Sequence, residues 1–221
     1  MKRFVFVVEG ETEESFVNLV LNPYFNAKGV YNSVQCFKIK HSNGGVSKYS
    51  HVKKDIINTL YENDVVVTTM LDFYRLPSSF PGFNVIDPKQ SHYEQAVFLE
   101  EQMKLDIEHT QNCHFDNFIP YIQLHEFETL IFASIKGIDM IFEKSEVKYA
   151  NLKIIFDSFD NPEDINNGVN TSPSMRLKSL IPGYDKVVYG IDIVKEIGIE
   201  ILLQKCPKFN AWICRLLSSA C

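Results

Sequence analysis

Two short runs, residues 4–8 (FVFVV) and 65–71 (VVVTTML), constrain the fold of this chain more than any other feature. Neither run carries a charge, and neither alternates between apolar and polar residues. A strand of this kind is typical of a parallel sheet that helices cover on both faces. We therefore expect an α/β fold in which these two strands lie inside the sheet.

Helical patterns and further strands connect these two runs in regular alternation. Residues 34–40 alternate in polarity and predict a strand nearer an edge, and residues 118–124 predict a strand that Pro120 moves toward an edge or a strand start. Helical patterns occupy residues 11–25 (with Thr12 as N-cap), 51–60, about 90–108 and 126–133. The order β-α-β-α-β-α-β-α predicts a parallel sheet of about four strands joined by right-handed crossovers.

Beyond residue 135 the pattern changes, and no strand of comparable quality follows. Helical patterns occupy residues 152–159, 173–180, 187–203 and 207–217, with a polar loop at 161–170. The sequence therefore predicts an α/β domain over residues 1–135 and a helical C-terminal extension over residues 136–221, packed on that domain.

Composition narrows the classes of function. A formal charge of −6 argues against a protein that coats nucleic acid, but it is compatible with a nuclease whose site needs acids. The five cysteines are scattered without a CxxC pair, which favours a reducing compartment over a disulfide framework. No apolar stretch approaches 18 residues. These features predict a cytoplasmic protein without a membrane segment.

Acidic residues follow three of the predicted strands, at Glu9, Asp72 and Glu126. In an open parallel sheet, ligands bind beyond the carboxyl ends of the strands. Neighbouring strands lie about 5 Å apart, so carboxylates at two such ends can share one cation. Carboxylates are hard oxygen ligands that suit Mg²⁺ or Mn²⁺ rather than zinc. Glu9 and Asp72 are therefore the primary candidate ligands.

These motifs resemble those of the Toprim (topoisomerase–primase) superfamily. VEGETEESF is similar to the opening motif of that superfamily, and TTMLDFY is similar to its second motif. Blocks further along, HEFETLIF, PEDIN, TSPSMRL, GYDKVVYG and CPKFNAWI, resemble a small Toprim-like branch. The resemblance implies a Toprim-like sheet and an ABC-type ATPase partner in a bacterial anti-phage defence locus, an arrangement similar to that of the overcoming-lysogenization-defect nucleases.

One position departs from the superfamily pattern. The second motif usually reads Asp-x-Asp, whereas this chain has Asp72-Phe73-Tyr74. Glu13 lies one helical turn after Glu9 and can supply the missing ligand, as can Glu126 and Glu128. The number of metal ions is left open by this departure. Each of these acids also has a simpler interpretation, as an acid that favours the start of a helix.

Two further groups are candidates for contact with substrate. His125 can orient a water or act as a general base, or it can be a hydrogen-bonded structural residue. A basic segment without a single acid includes Lys38, Lys40, Lys48 and Lys53, and Arg176 lies in the first turn of a predicted helix that Thr171 and Ser172 precede. The four lysines are either a track for a phosphate backbone or a solvated surface. Arg176 can bind a phosphate at this helix start, or Thr171 and Ser172, followed by a proline, only cap the helix.

The function that these observations favour is a Mg²⁺-dependent phosphodiester hydrolase acting on DNA or RNA. The catalytic candidates are Glu9, Asp72 and His125, and the metal ligands come from Glu9, Glu13, Asp72, Glu126 and Glu128. Two alternatives remain open: another phosphoryl-transfer or nucleotide-processing enzyme, and a catalytically silent Toprim-like module that binds a partner. The fold alone does not separate the three, because one fold hosts many functions.

Overall fold

Five parallel strands form the sheet in the computed structural model, which describes residues 2–30, 35–38, 48–165 and 171–220. The strands are β1 (Arg3–Val8), β2 (Gln35–Lys38), β3 (Val65–Asp72), β4 (Phe118–Ile119) and β5 (Ile122–Gln123). Their order is β2-β1-β3-β4, and β5 also pairs with β3. The predicted α/β fold class with a parallel sheet is confirmed.

The two uncharged runs occupy the interior of the sheet, as predicted. β1 pairs with β2 on one side and with β3 on the other, and Val8 lies opposite Met70. Every residue of β3 is buried. Apolar side chains on both faces of these strands leave water on folding, which favours a position with helices on either side.

Pro120 divides the predicted fourth strand into β4 and β5. Proline has no N–H to donate to a ladder, and Thr69 provides a replacement contact at the next residue. The Thr69 hydroxyl donates to the carbonyl oxygen of Tyr121 and accepts from the Tyr121 N–H, both at 2.9 Å. The two threonines of β3 are therefore hydrogen-bonding residues of the sheet, since Thr68 also donates to the carbonyl oxygen of Ile119.

The helices of the sheet-containing part agree with the predicted alternation. They are α1 (Glu11–Phe16) and α2 (Asn22–Ala27) with a π-helical stretch (Val17–Leu21) between them, α3 (Tyr49–Leu60) and α4 (His92–Gln111). The predicted N-cap Thr12 is wrong, because Thr12 is inside α1 and Gly10 occupies the cap position. Ser91 caps α4 in a reciprocal arrangement with Glu94.

Two apolar layers cover the sheet. One layer includes Val52 and Ile56 of α3 and Leu99 and Met103 of α4, packed with Val67. The other layer is aromatic, and its rings contact one another. It consists of Phe4, Phe6, Phe25, Tyr121 and Trp212. Trp212 is thus a core residue of this layer.

The remaining helices form the second part of the chain. They are a 3₁₀ helix (Phe127–Ala133), α5 (Lys136–Ile141), α6 (Tyr149–Phe156), a 3₁₀ turn (Pro162–Asp164), α7 (Pro173–Leu180), a π-helical turn (Lys186–Gly190), α8 (Ile191–Ile197), α9 (Ile199–Lys205) and α10 (Pro207–Ser219). The predicted single helix over 187–203 is interrupted at Gly198, whose φ of 87° is incompatible with a continuous right-handed helix.

The chain forms two compact units. The first comprises Met1–Leu124 together with Trp212–Cys221, and the second comprises His125–Ala211. This division differs from the expected boundary after residue 135, because the first segment of the sheet-containing unit ends at Leu124 and the end of α10 also belongs to that unit. Within the residues that the structure describes, no helix combines the length and hydropathy that crossing a membrane requires.

Candidate functional site

Glu9 and Asp72 lie together at the carboxyl edge of the sheet. Glu9 directly follows β1, Asp72 is the last residue of β3, and the two strands are adjacent and parallel. The backbone N–H of Asp72 is 3.4 Å from Glu9 Oε2. The side chains are only 6% and 2% exposed. Two carboxylates buried at neighbouring strand ends need a compensating positive charge.

Arg75 supplies part of that charge, and sequence reasoning missed it. Its Nη1 lies 3.9 Å from Glu9 Oε1, and its Nε lies 4.0 Å from Asp72 Oδ2. Both distances exceed those of a bidentate arginine–carboxylate hydrogen bond, so the guanidinium attracts the pair without closing on it. The Arg75 side chain is 45% exposed. The sequence feature that could have indicated Arg75 is its position three residues after Asp72. In the structure it ends the 3₁₀ helix Phe73–Arg75.

Glu13 is the third acid of this edge. It is buried in α1, and a side chain at Gly10 would bring a Cβ within 3.2 Å of Glu13 Oε2. Gly10 has an extended backbone that any residue adopts. The Glu13 carboxylate therefore lies close to the turn that follows Glu9.

This donor set fits one class of cation. Mg²⁺ retains several waters and is commonly held by one or two carboxylates, with substrate phosphates completing the shell. Glu9 and Asp72 satisfy that minimum, with Glu13 on the adjoining turn. A site with three or more protein ligands is not present in the described part of the chain, because no group of three His, Cys, Asp or Glu residues there is arranged to hold a metal.

Glu126 has a structural partner in the second unit. Its carboxylate accepts from the backbone N–H of Ser174 at 3.0 Å and from the Ser174 hydroxyl at 3.1 Å. Ser174 is in the first turn of α7, and Ser172 at the cap position makes no side-chain cap. Glu126 therefore performs the capping role that the sequence assigned to Thr171 and Ser172.

Glu128 and His125 also have contacts within the second unit. Glu128 Oε2 is 3.8 Å from Lys186 Nζ. His125 is buried, and its Nε2 donates to the carbonyl oxygen of Glu163 at 2.9 Å. Its φ of 65° is uncommon for a residue other than glycine. A buried imidazole anchored to a carbonyl favours the structural interpretation of His125 over that of a general base.

The basic candidates fall into different environments. Lys53 Nζ forms a 2.7 Å ion pair with Asp106, which compensates its charge. Lys48 is exposed at the start of α3. The side chain of Lys38 and the whole of Lys40 lie outside the described residues. The phosphate track therefore stays a prediction, with Lys48 as its exposed described member.

Arg176 is held close to its own helix start. Its Nε donates to the carbonyl oxygen of Thr171 at 2.7 Å, and its guanidinium lies 6.0 Å from the centre of the Phe159 ring. Burial lowers the pKa of Arg176 from its ordinary value. These contacts connect Arg176 to Thr171 and Phe159, and a role in holding phosphate stays a prediction.

Comparison with known proteins shows the family to which the chain belongs. No curated protein and no solved structure matches the chain. One family, described as a domain of unknown function (DUF4276), matches residues 8–217. That span includes Glu9, Glu13, Asp72 and Arg75, and it covers nearly the whole length. The chain therefore belongs to the DUF4276 family.

Proposed function

We propose that this protein is a Mg²⁺-dependent phosphodiester hydrolase that acts on DNA or RNA. The observation that carries the proposal is the buried pair Glu9–Asp72 at adjacent ends of parallel strands, with Arg75 within 4.0 Å of both. This edge of a parallel sheet is where ligands of open α/β folds bind. Burying two acids at adjacent strand ends costs stability, which favours a functional reason for keeping them there.

Each residue of the edge has a part in the proposed chemistry. Glu9 and Asp72 would hold the cation, which when bound polarises the scissile phosphate and lowers the pKa of a bound water. The exposed guanidinium of Arg75 would bind a phosphate oxygen and orient the backbone. Glu13 is buried beside the turn that carries Glu9 and would accept the proton of the attacking water.

The proposed partner is an ABC-type ATPase, and the proposed setting is anti-phage defence in the bacterial cytoplasm. This part of the proposal rests on the similarity of the blocks PEDIN, TSPSMRL, GYDKVVYG and CPKFNAWI to the Toprim-like branch. The family match supports membership of DUF4276 and does not itself indicate an activity.

A second candidate is a catalytically silent module that binds a partner. Arg75 favours this alternative, because a guanidinium near both carboxylates can stabilise them without a metal. The two candidates differ in what the carboxylates do: they bind a cation and support turnover in one, and they only hold Arg75 in the other.

The test is cleavage of single-stranded DNA, supercoiled DNA and RNA in Mn²⁺, with and without the ATPase. We expect Asp72→Asn and Glu9→Gln to lower the rate about a hundredfold or more, since each removes a ligand charge at nearly constant shape. Glu101→Gln removes the same charge from an exposed position of α4 and is the matched control. Cleavage that survives in Asp72→Asn, or none by the wild type with its partner present, would count against the hydrolase.

A further inference from the structure

Three rings form an aromatic cluster beside the carboxylate pair. The centre of the Phe73 ring lies 5.8 Å from that of Tyr74 and 5.6 Å from that of His92, and Tyr74 and His92 are 6.1 Å apart. Phe73 and Tyr74 belong to the 3₁₀ helix that follows β3, and His92 begins α4. All three residues belong to the first unit, as do Glu9 and Asp72.

Chain connectivity places Tyr74 between the two charged parts of the site. Tyr74 is two residues after Asp72 and directly precedes Arg75, within a single 3₁₀ turn. Its side chain is held by edge contacts with Phe73 and His92, yet the residue is 37% exposed. The cluster thus restrains the Tyr74 ring while leaving part of it accessible next to the exposed Arg75.

We propose that Tyr74, supported by Phe73 and His92, is a stacking platform for an unpaired base, which makes single-stranded nucleic acid the substrate of the proposed hydrolase. This inference rests on the proposed function and assigns its substrate class. Proteins that bind single strands place aromatic rings against base faces beside cationic contacts to the backbone. Inside a duplex, neighbouring base pairs already cover those faces, so an internal base can stack on Tyr74 only when it is unpaired.

The charges around the cluster agree with this assignment. Arg75 presents a half-exposed guanidinium one residue from the ring, in position to contact the phosphate adjoining the stacked base. Burial lowers the pKa of His92, so at neutral pH this ring is an uncharged packing partner of Tyr74. The base face and the phosphate are therefore bound by different side chains.

The experiment measures binding rather than turnover. A fluorescein-labelled oligothymidylate is compared by anisotropy with an oligomer of the same length whose central nucleotides are abasic, and with a duplex, all in Ca²⁺. The abasic strand carries the same backbone charge, so the ratio of the two dissociation constants isolates the contribution of the bases. We expect the wild type to bind the thymidine strand about tenfold more tightly than the abasic strand.

Substitutions at Tyr74 test whether its ring causes the preference for the thymidine strand over the abasic strand. Tyr74→Phe should retain the preference, whereas Tyr74→Leu, which keeps an apolar side chain without a flat face, should abolish it, as should Tyr74→Ala. Tyr93→Ala removes another exposed tyrosine of the first unit and should leave the ratio unchanged. A wild type that binds abasic and thymidine strands equally, or a Tyr74→Leu variant that retains the preference, would overturn the platform.

Failure of the inference is distinguishable from failure of the proposed function. Cleavage without any base-dependent binding would overturn the platform and leave the hydrolase. Base-dependent binding without cleavage would overturn the hydrolase and leave Tyr74 as the binding residue of a silent module. Asp72→Asn, which should cleave more slowly by about a hundredfold or more, is expected to keep the preference for the thymidine strand.

Discussion

At the scale of single residues, the balance of charge around Glu9 and Asp72 decides what the site can do. Arg75 approaches both carboxylates to about the limit of an ion pair, and its side chain is half-exposed. Such a contact is screened by solvent and is weaker than a closed, bidentate pair. A divalent cation adjacent to both carboxylates would interact with them more strongly than Arg75 does at these distances.

Metal binding by this pair should be measurable as a gain in stability. Millimolar Mn²⁺ should raise the melting temperature of the wild type, because a ligand that binds only the folded state stabilises it by about 2.7 kcal/mol at a hundred times its dissociation constant. Glu9→Gln and Asp72→Asn should abolish the rise, and Glu101→Gln should keep it. Differential scanning fluorimetry across a Mn²⁺ titration provides the measurement. A wild-type melting temperature that does not respond would exclude a metal site at these residues.

At the scale of elements, a buried acid organises the start of α10. Glu163 accepts from the backbone N–H of Lys208 at 2.8 Å and of Phe209 at 3.0 Å, which satisfies two groups that a helix start leaves without internal partners. Burial is the main cause that raises the pKa of Glu163 above its ordinary value of 4.5, although these hydrogen bonds act in the opposite direction.

This pKa shift predicts the sign of a pH dependence. The folded state binds the Glu163 proton more tightly than the unfolded state, so the contribution of Glu163 to stability is present below pH 4.5 and is lost as the pH rises through the raised folded pKa. We expect the free energy of unfolding of the wild type to fall relative to that of Glu163→Gln over this window. Urea denaturation of both proteins measures this difference. The pH series runs from about pH 4 to about pH 8, to cover an ordinary and a raised carboxyl pKa.

The control for that measurement is Glu200→Gln, which neutralises an exposed glutamate of α9. Its stability curve should run parallel to that of the wild type across the same range. If the curves of Glu163→Gln and wild type are also parallel, Glu163 titrates with an ordinary pKa and the burial argument fails.

At the scale of the whole molecule, the end of the chain completes the core of the first unit. The Trp212 ring is stacked on Tyr121 at 4.1 Å, and its Nε1 donates to the Thr68 hydroxyl at 2.8 Å. The strands that carry Glu9 and Asp72 are therefore covered in part by a residue more than a hundred positions away. The sheet-containing unit is not independent of the last ten residues.

Loss of this contact should destabilise the protein substantially. Trp212→Ala should lower the free energy of unfolding by about 3–5 kcal/mol, the usual cost of removing a large buried aromatic side chain. Trp212→Phe retains a ring against Tyr121 and should cost less, about 1–3 kcal/mol, chiefly through the lost hydrogen bond to Thr68. Circular dichroism during urea denaturation suits both variants. A loss below about 1 kcal/mol in Trp212→Ala would show that the C-terminus is dispensable to this core.

The elements that the sequence predicted well are those governed by local pattern. β1 and β3 are predicted from uncharged runs that do not alternate in polarity. α3 is predicted from the helical spacing of its apolar residues, and α7 from the residues that start it. The errors occur where distant residues intervene. Thr12 looked like an N-cap but is inside α1, and the cap of α7 comes from Glu126, 48 positions away from Ser174. Local signals identify where a helix starts, but they do not identify which distant side chain satisfies its N–H groups.

The sequence by itself determined the α/β class and the position of Glu9 and Asp72 at strand ends, because the period of side-chain burial and the uniform direction of parallel strands are local and topological properties. Only the tertiary structure decided that Arg75 approaches both acids, that Phe73, Tyr74 and His92 form one cluster, and that Trp212 belongs to the first unit. The physical reason is that these contacts depend on the directions of side chains from separate elements, which no periodicity along the chain encodes.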